Sequence, residues 1–255
     1  MSALQKLAKL AKLGGRLIKL GCTSPSKLSH VLGSALAASD EVADASVDLL
    51  RFPHVTIEDL LPEESEAVRM TLVFIPRVRA SISALEAVAL ILLMKKAKAK
   101  RVFEFGTYKG LSITQLAVNL PADSRICTLD LPEDDPRSAF AITDPEDLEI
   151  ALEKGKGSRV PDDVRDRIQF LRQDSATLEV TPYVGQMDFV FVDGAHNAPY
   201  VRNDSEKGWQ MLRAGGIIAW HDCRPQDPAV VRFLLQSPYR PTRIRQTTVA
   251  FAIKP

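Results

Sequence analysis

Cysteine is scarce in this 255-residue chain: Cys22, Cys127 and Cys223 are the whole complement. Three thiols so far apart exclude a disulfide framework or a thiolate metal site, and a reducing cytoplasm fits them best. An excess of one charge is missing too. Lys and Arg number 33, Asp and Glu 32, so the net charge is +1 and nothing global points to nucleic acid. No apolar run reaches the roughly 18 to 20 residues of a membrane span. The strongest, Ala87 to Met94, stops at Lys95 and Lys96. There is no internal repeat. What remains is an ordinary globular composition on a chain long enough to bury one substantial core.

Acid is absent before Asp40. In residues 1–21, Lys6, Lys9, Lys12, Arg16 and Lys19 alternate with Leu4, Leu7, Leu10, Leu13, Leu17 and Leu20 at helical spacing. The interspersed charges exclude a standard secretory signal, and Gly14-Gly15 weakens the helix in its middle. Two readings follow. The leucines pack on the core or on a second copy, making a homodimer, or the basic face docks on a membrane surface or a partner. Further on, Ser24-Pro25-Ser26 and Ser39-Asp40 read as helix starts, and Pro53, Pro62 and Pro76 punctuate the rest. Residues 1–80 thus form an N-terminal helical cap. Its histidines, His30 and His54, lie away from any motif and read as structural.

From Ser81 the pattern changes. A helix over 81–96 leads into alternating strands and helices, which implies a parallel sheet covered on both faces. Strands are expected at 101–105, 125–130, 167–172, 187–192 and 216–221, and helices at 110–120, 200–213 and 227–236. Thr242–Arg245 and Thr248–Ile253 close the chain as two more strands. Residues 131–166 are rich in Pro, Asp, Glu, Lys and Gly and cannot be a core strand. With a short helix over 144–153, they read as a mobile flap beside the ligand site.

The most telling stretch is Val102-Phe103-Glu104-Phe105-Gly106-Thr107-Tyr108-Lys109-Gly110: a strand, a tight turn and a helix N-terminus. About 20 residues past Gly110, a second strand ends in Asp130, an offset that suits the hydroxyl pair of a ribose. A dinucleotide loop needs a middle glycine for close approach to pyrophosphate. Thr107, Tyr108 and Lys109 stand between the two glycines here. Glu104 at the strand end would repel pyrophosphate and accept from an ammonium group. S-adenosylmethionine carries an ammonium, a carboxylate and a sulfonium but no phosphate, so the pattern favours it over NAD.

Phe105-Gly106-Thr107-Tyr108-Lys109-Gly110, Val192-Asp193-Gly194-Ala195-His196 and Gly215-Gly216-Ile217-Ile218-Ala219-Trp220-His221-Asp222 together resemble a class I S-adenosylmethionine-dependent methyltransferase. The branch they look most like is methyltransferase family 24, related to the catechol O-methyltransferase-like enzymes. The resemblance covers roughly residues 80–255. It implies an α/β fold with a Rossmann-like, doubly wound seven-stranded sheet whose last strand is antiparallel, a methyltransferase domain over 81–255, and O-methylation of a small-molecule or sugar-like acceptor.

Ligands of such sheets sit outside the carboxyl ends of the strands. The expected cofactor residues are Glu104, Gly106, Thr107, Gly110, Ser112, Asp130, Asp174, Ser175 and Asp193. In similar enzymes the position of Asp174 and Ser175 meets the adenine amine; Asp174 also suits a helix cap. Asp193 and Asp222 end adjacent strands, and like charges that close call for a cation or proton between them. Mg²⁺ suits carboxylates. In the resembled group, positions like these hold a metal, and His221 is the third candidate ligand. His221 stands where those enzymes often carry another acid, so a borderline metal, or none, is the alternative. His196 and His221 are the candidate bases, since imidazole titrates near neutrality; either can instead be structural. Arg202, Asn203, Asp204 and Lys207 read as a solvated helix surface. Two competing readings remain: a non-catalytic scaffold docking through residues 1–21, and an NAD-linked oxidoreductase.

Overall fold

The computed structural model describes residues 39–61, 67–73, 79–135 and 137–255. The basic segment 1–21, the helix start at 24–26, Cys22 and His30 lie outside the described residues, and with them the expectations of membrane contact and dimerisation. Among the described residues, no helix is long and apolar enough to cross a membrane.

Eight strands form one sheet in the order β1-β7-β8-β6-β5-β2-β3-β4. They are β1 (His54–Val55), β2 (Arg101–Phe105), β3 (Arg125–Asp130), β4 (Ile168–Arg172), β5 (Met187–Val192), β6 (Leu212–Trp220), β7 (Thr242–Ile244) and β8 (Ala250–Ile253). All pairings are parallel except those of β8, which runs antiparallel between β6 and β7. The seven expected strands are present, last one reversed. The two-residue β1, from the N-terminal extension, adds an eighth by pairing with β7. Residues 39–48 are helical, in line with the start at Ser39-Asp40.

The helices are α1 (Ala84–Lys96), α2 (Leu111–Val118), α3 (Pro145–Leu152), α4 (Asp162–Arg165), α5 (Ala198–Met211) and α6 (Pro228–Gln236). Side chains alternate across a strand, and the two core layers divide accordingly. Val102, Phe189, Phe191, Ile217 and Ala219 face α1 and α2, in the layer of Leu90, Leu93, Ile113 and Leu116. Phe103, Phe105, Val190, Val192 and Ile218 face α5 and α6, with Val201, Met211, Val231 and Leu234. Trp220 joins that second layer. It is buried, its Nε1 donates to Ser205 Oγ at 2.9 Å, and Tyr239 stacks nearby.

α1 starts on a capping box: Ser83 Oγ accepts from the Glu86 amide, and Glu86 accepts from the Ser83 amide. The 131–166 insertion is stitched onto the glycine loop. The Gly157 amide donates to Tyr108 O at 2.6 Å, the Arg159 amide to Lys109 O at 3.0 Å, and Val160 packs against Gly110.

Candidate active site

Sheet register brings the motif residues together. Beyond the last strand pairs, Gly106 donates to Leu129 O, Asp193 to Phe105 O and His221 to Val192 O. Gly106, Asp193 and His221 therefore stand on neighbouring strand ends. They border a cavity of about 400 Å³ that also receives Thr107, Ser112, Asp130, Asp174, Ser175, His196 and Asp222.

Glu104 sits behind this cavity, fully buried. Ser112 Oγ donates to one of its oxygens at 2.6 Å and Thr128 Oγ1 to the other at 2.5 Å. Burial pushes its pKa up to about 8, against the pull of those two hydroxyls and helped by the Asp193 and Asp130 charges. Thr107 Oγ1 pairs with Thr128 Oγ1, extending the network to the loop.

Asp130 ties the loop down. Its Oδ2 accepts from the Thr107 and Tyr108 amides at 3.1 and 2.7 Å, while Oδ1 accepts from the Leu131 amide and meets the buried Lys156 Nζ at 3.3 Å. Asp174 caps the short turn 175–177 through the Ala176 amide, as expected, and also accepts from Tyr200 Oη and the Ala139 amide.

Between β5 and β6 the charges converge. His221 Nδ1 lies 3.0 Å from Asp193 Oδ1 and 2.9 Å from Asp222 Oδ2. Its Nε2 faces Glu86 Oε2 at 3.4 Å, a charge contact too poorly aligned for a hydrogen bond. His196 Nε2 is 2.7 Å from the same Asp222 oxygen and its Nδ1 is 2.6 Å from Asp147 Oδ1. Burial would lower both imidazole pKa values. The surrounding carboxylates outweigh it, raising His221 well above 6.5 and pushing His196 up to about 11. The same pairing holds Asp222 well below the usual carboxylate range although its burial acts the other way. Asp222 also has φ of +54°, uncommon for a residue with a side chain. Asp193, His221 and Asp222 each offer an oxygen or nitrogen within 4.8 Å of the others.

The profile of the methyltransferase domain of family 24 matches residues 103–223. A caffeoyl-CoA O-methyltransferase of Stellaria longipes is 31% identical over 133 residues, covering 50% of this chain and 48% of that protein. One of Petroselinum crispum is 27% identical over 195 residues, covering 76% and 73%. The chain spans about half the length of the first curated relatives it matches. A crystallised candidate caffeoyl-CoA O-methyltransferase of Staphylococcus aureus superposes with a TM-score of 0.50 at 14% identity, over 69% of this chain and 85% of that one. That likeness concerns the fold.

Some site residues escaped the sequence. Glu86 and Asp147 contact the two histidines, and Lys156 contacts Asp130. Glu86 had a signal, the Ser83-to-Glu86 capping box. Asp147 and Lys156 had none, because the insertion carries no periodic pattern. The solvated reading of α5 needs correcting. Asp204 is buried in the cavity wall, where burial pushes its pKa up to about 6. Lys207 Nζ donates to the Ser175 and Ala176 carbonyls. Arg202 stays exposed. His54 lies in β1, away from the cavity lining.

Proposed function

We propose that this protein transfers a methyl group from S-adenosylmethionine to a hydroxyl of a small-molecule acceptor. The observation that carries this reading is an acid-lined cavity closed by the Gly106 turn, with the buried Glu104 carboxyl behind that turn and joined to the lining through Ser112. Nine Asp or Glu side chains line the cavity against three Lys or Arg. An ammonium and a sulfonium suit such a wall, and a pyrophosphate does not. The family match and the O-methyltransferase names of the relatives point the same way.

Glu104 is assigned to the ammonium end of the cofactor, and Gly106, Thr107, Gly110 and Ser112 to the surface it lies on. Asp130 takes the ribose hydroxyls and holds the loop amides that shape their site. Asp174 and Ser175 border the adenine, and Asp193 lies between cofactor and acceptor. Transfer from a sulfonium is an in-line displacement, so the protein's main work is alignment of donor and acceptor.

The residues between β5 and β6 fit a divalent cation. Asp222 Oδ1 is buried and accepts no hydrogen bond of good geometry, having only a 3.1 Å charge contact from Arg224 Nε. Two carboxylates and one imidazole suit Mg²⁺ or a borderline ion such as Mn²⁺. Held by Asp193, His221 and Asp222, the ion would supply positive charge that steadies the acceptor oxygen as its proton leaves. An imidazole takes a proton only when neutral. Positive charge in this acidic pocket would lower the His196 imidazole pKa and so free a ring nitrogen to take the hydroxyl proton; His221 could take that role only with no ion on its Nδ1.

Calorimetric titration separates this reading from its rival. S-adenosylhomocysteine should bind in the micromolar range and NAD should not. Binding of NAD alone would remove the methyl-transfer assignment.

A further inference from the structure

We propose that Asp147, on helix α3 of the 131–166 insertion, is a positioning residue that sets the ring of His196, which makes the seated insertion part of the catalytic apparatus. The inference rests on the methyl-transfer reading of the site.

α3 lies on the surface, with Glu146, Leu148, Glu149 and Leu152 exposed. Asp147 is its one buried charged residue, at 7% exposure. Burying a carboxylate costs several kcal/mol unless it is paired and hydrogen-bonded. Here both oxygens are used on one residue. Oδ2 accepts from the His196 amide at 2.7 Å and Oδ1 meets His196 Nδ1 at 2.6 Å. This double contact ties the ring to its own backbone and leaves Nε2 as the nitrogen turned to Asp222. With Nδ1 held in this way, Asp147 sets both the plane of the ring and the place of Nε2 on the cavity wall.

Closing the insertion does not need this pair. Asn197 Nδ2 donates to Ala141 O at 2.7 Å, the Ala139 amide donates to Asp174 Oδ2 at 2.6 Å, and Phe140 packs edge-on against Tyr200. These contacts already hold residues 139–141 on the rim. Asp147 adds a charge aimed at one imidazole.

The test is a double-mutant cycle with two readouts. The first is turnover on catechol and caffeoyl-CoA. Asp147→Ala should lower kcat about 30-fold or more with the KM for S-adenosylmethionine within about threefold, and Asp147→Glu should recover part of it. In a His196→Ala background the same substitution should change nothing further. Asn197→Ala, which loosens the rim alone, should keep kcat within about twofold. Equal losses from Asp147→Ala in both backgrounds, or a loss matched by Asn197→Ala, would overturn the proposal. The second readout needs no turnover. The hydrogen-bonded Nδ1 proton of His196 should be visible by nitrogen-15 NMR in the wild type and in Asn197→Ala, and lost in Asp147→Ala. Its persistence in Asp147→Ala overturns the proposal as well. Full turnover by His196→Ala, with the Nδ1 proton seen in the wild type and lost in Asp147→Ala, would instead refute the base assignment on which the inference rests.

Discussion

Gly106 and Asp193 approach so closely that a Cβ on Gly106 would stand 2.0 Å from the Asp193 carbonyl oxygen. The partner atom is backbone of the adjacent strand end, so it cannot swing aside. Gly106 also has φ of +91°, a conformation that strains any residue with a side chain. Gly106→Ala should therefore destabilise the fold by about 2 to 4 kcal/mol, combining overpacking and backbone strain. Chemical denaturation checks this. A loss below about 1 kcal/mol would mean that the β2 and β5 ends separate easily.

Glu104 gives the protein a pH signature. Its pKa in the fold, about 8, lies above the ordinary 4.5 because burial disfavours its charge. The folded chain thus keeps a proton that the unfolded chain releases between those values. This contribution is fully present below pH 4.5 and is lost as pH rises through 8. Glu104→Gln should flatten that decline, so the variant gains stability relative to wild type between pH 6 and 9. Above pH 8, where Glu104 is ionised, it should also weaken S-adenosylhomocysteine by roughly 1.5 to 3 kcal/mol, the range for a hydrogen bond to a charged group. Thermal melts across pH and calorimetry read the two effects, and parallel melting curves for both proteins would count against the buried acid.

Asp130→Ala removes more than a ribose partner. It strips the acceptor from the Thr107 and Tyr108 amides and leaves Lys156 Nζ buried without a carboxylate, with the Ile150 carbonyl and the Tyr108 ring as its remaining contacts. Cofactor affinity should fall by about 1 to 3 kcal/mol. Hydrogen exchange at the 106–110 loop should rise as well, because its amides lose their partner. Unchanged affinity in a folded variant would sink the assignment.

Much of this arrangement could be read from the chain because it rests on short-range pattern. Phe103 and Phe105 alternate with Val102 across a strand, and Gly106 follows where the turn must be. Asp193 and Asp222 end apolar strands that the topology makes neighbours. What could not be read depends on pairs far apart in sequence. Asp147 lies among exposed acids in a segment without periodicity, so nothing marks it as the one that turns inward. Asp204 sits beside Arg202 and Asn203 on a helix too polar for hydrophobic spacing to show its buried face. β1 has two residues, too few for any alternation.

The cation assignment predicts a graded response. Turnover should fall with EDTA and return with Mg²⁺ or Mn²⁺. Asp193→Asn and Asp222→Asn should each weaken Mn²⁺ binding at least about tenfold, since each removes a charged ligand from a three-residue set. Glu104→Gln, outside that set, should leave Mn²⁺ affinity within about threefold. Calorimetry with Mn²⁺ distinguishes the cases. An enzyme indifferent to EDTA would leave proton removal to the histidines alone.

Glu86 links three parts of the molecule, and its loss should be felt in all of them. One oxygen closes the capping box of α1 and faces His221; the other accepts from the Thr248 amide and hydroxyl at 2.9 and 2.8 Å. Burial alone would raise its pKa, but the His221 contact and the Ser83 and Thr248 amides hold it well below the usual range. Its stabilisation is therefore present above about pH 4.5 and is lost as pH falls into the acid range. Glu86→Ala should cost about 2 to 3 kcal/mol at neutral pH, the sum of a lost cap and a lost buried hydrogen-bond pair. The gap between variant and wild type should narrow as pH drops below 4. Glu86→Gln keeps only one of the two acceptor oxygens, so it should fall between wild type and Glu86→Ala. Denaturation at pH 7 and pH 3 measures this, and a gap that stays constant would show that the Glu86 charge has no part in holding α1, Thr248 and His221 together.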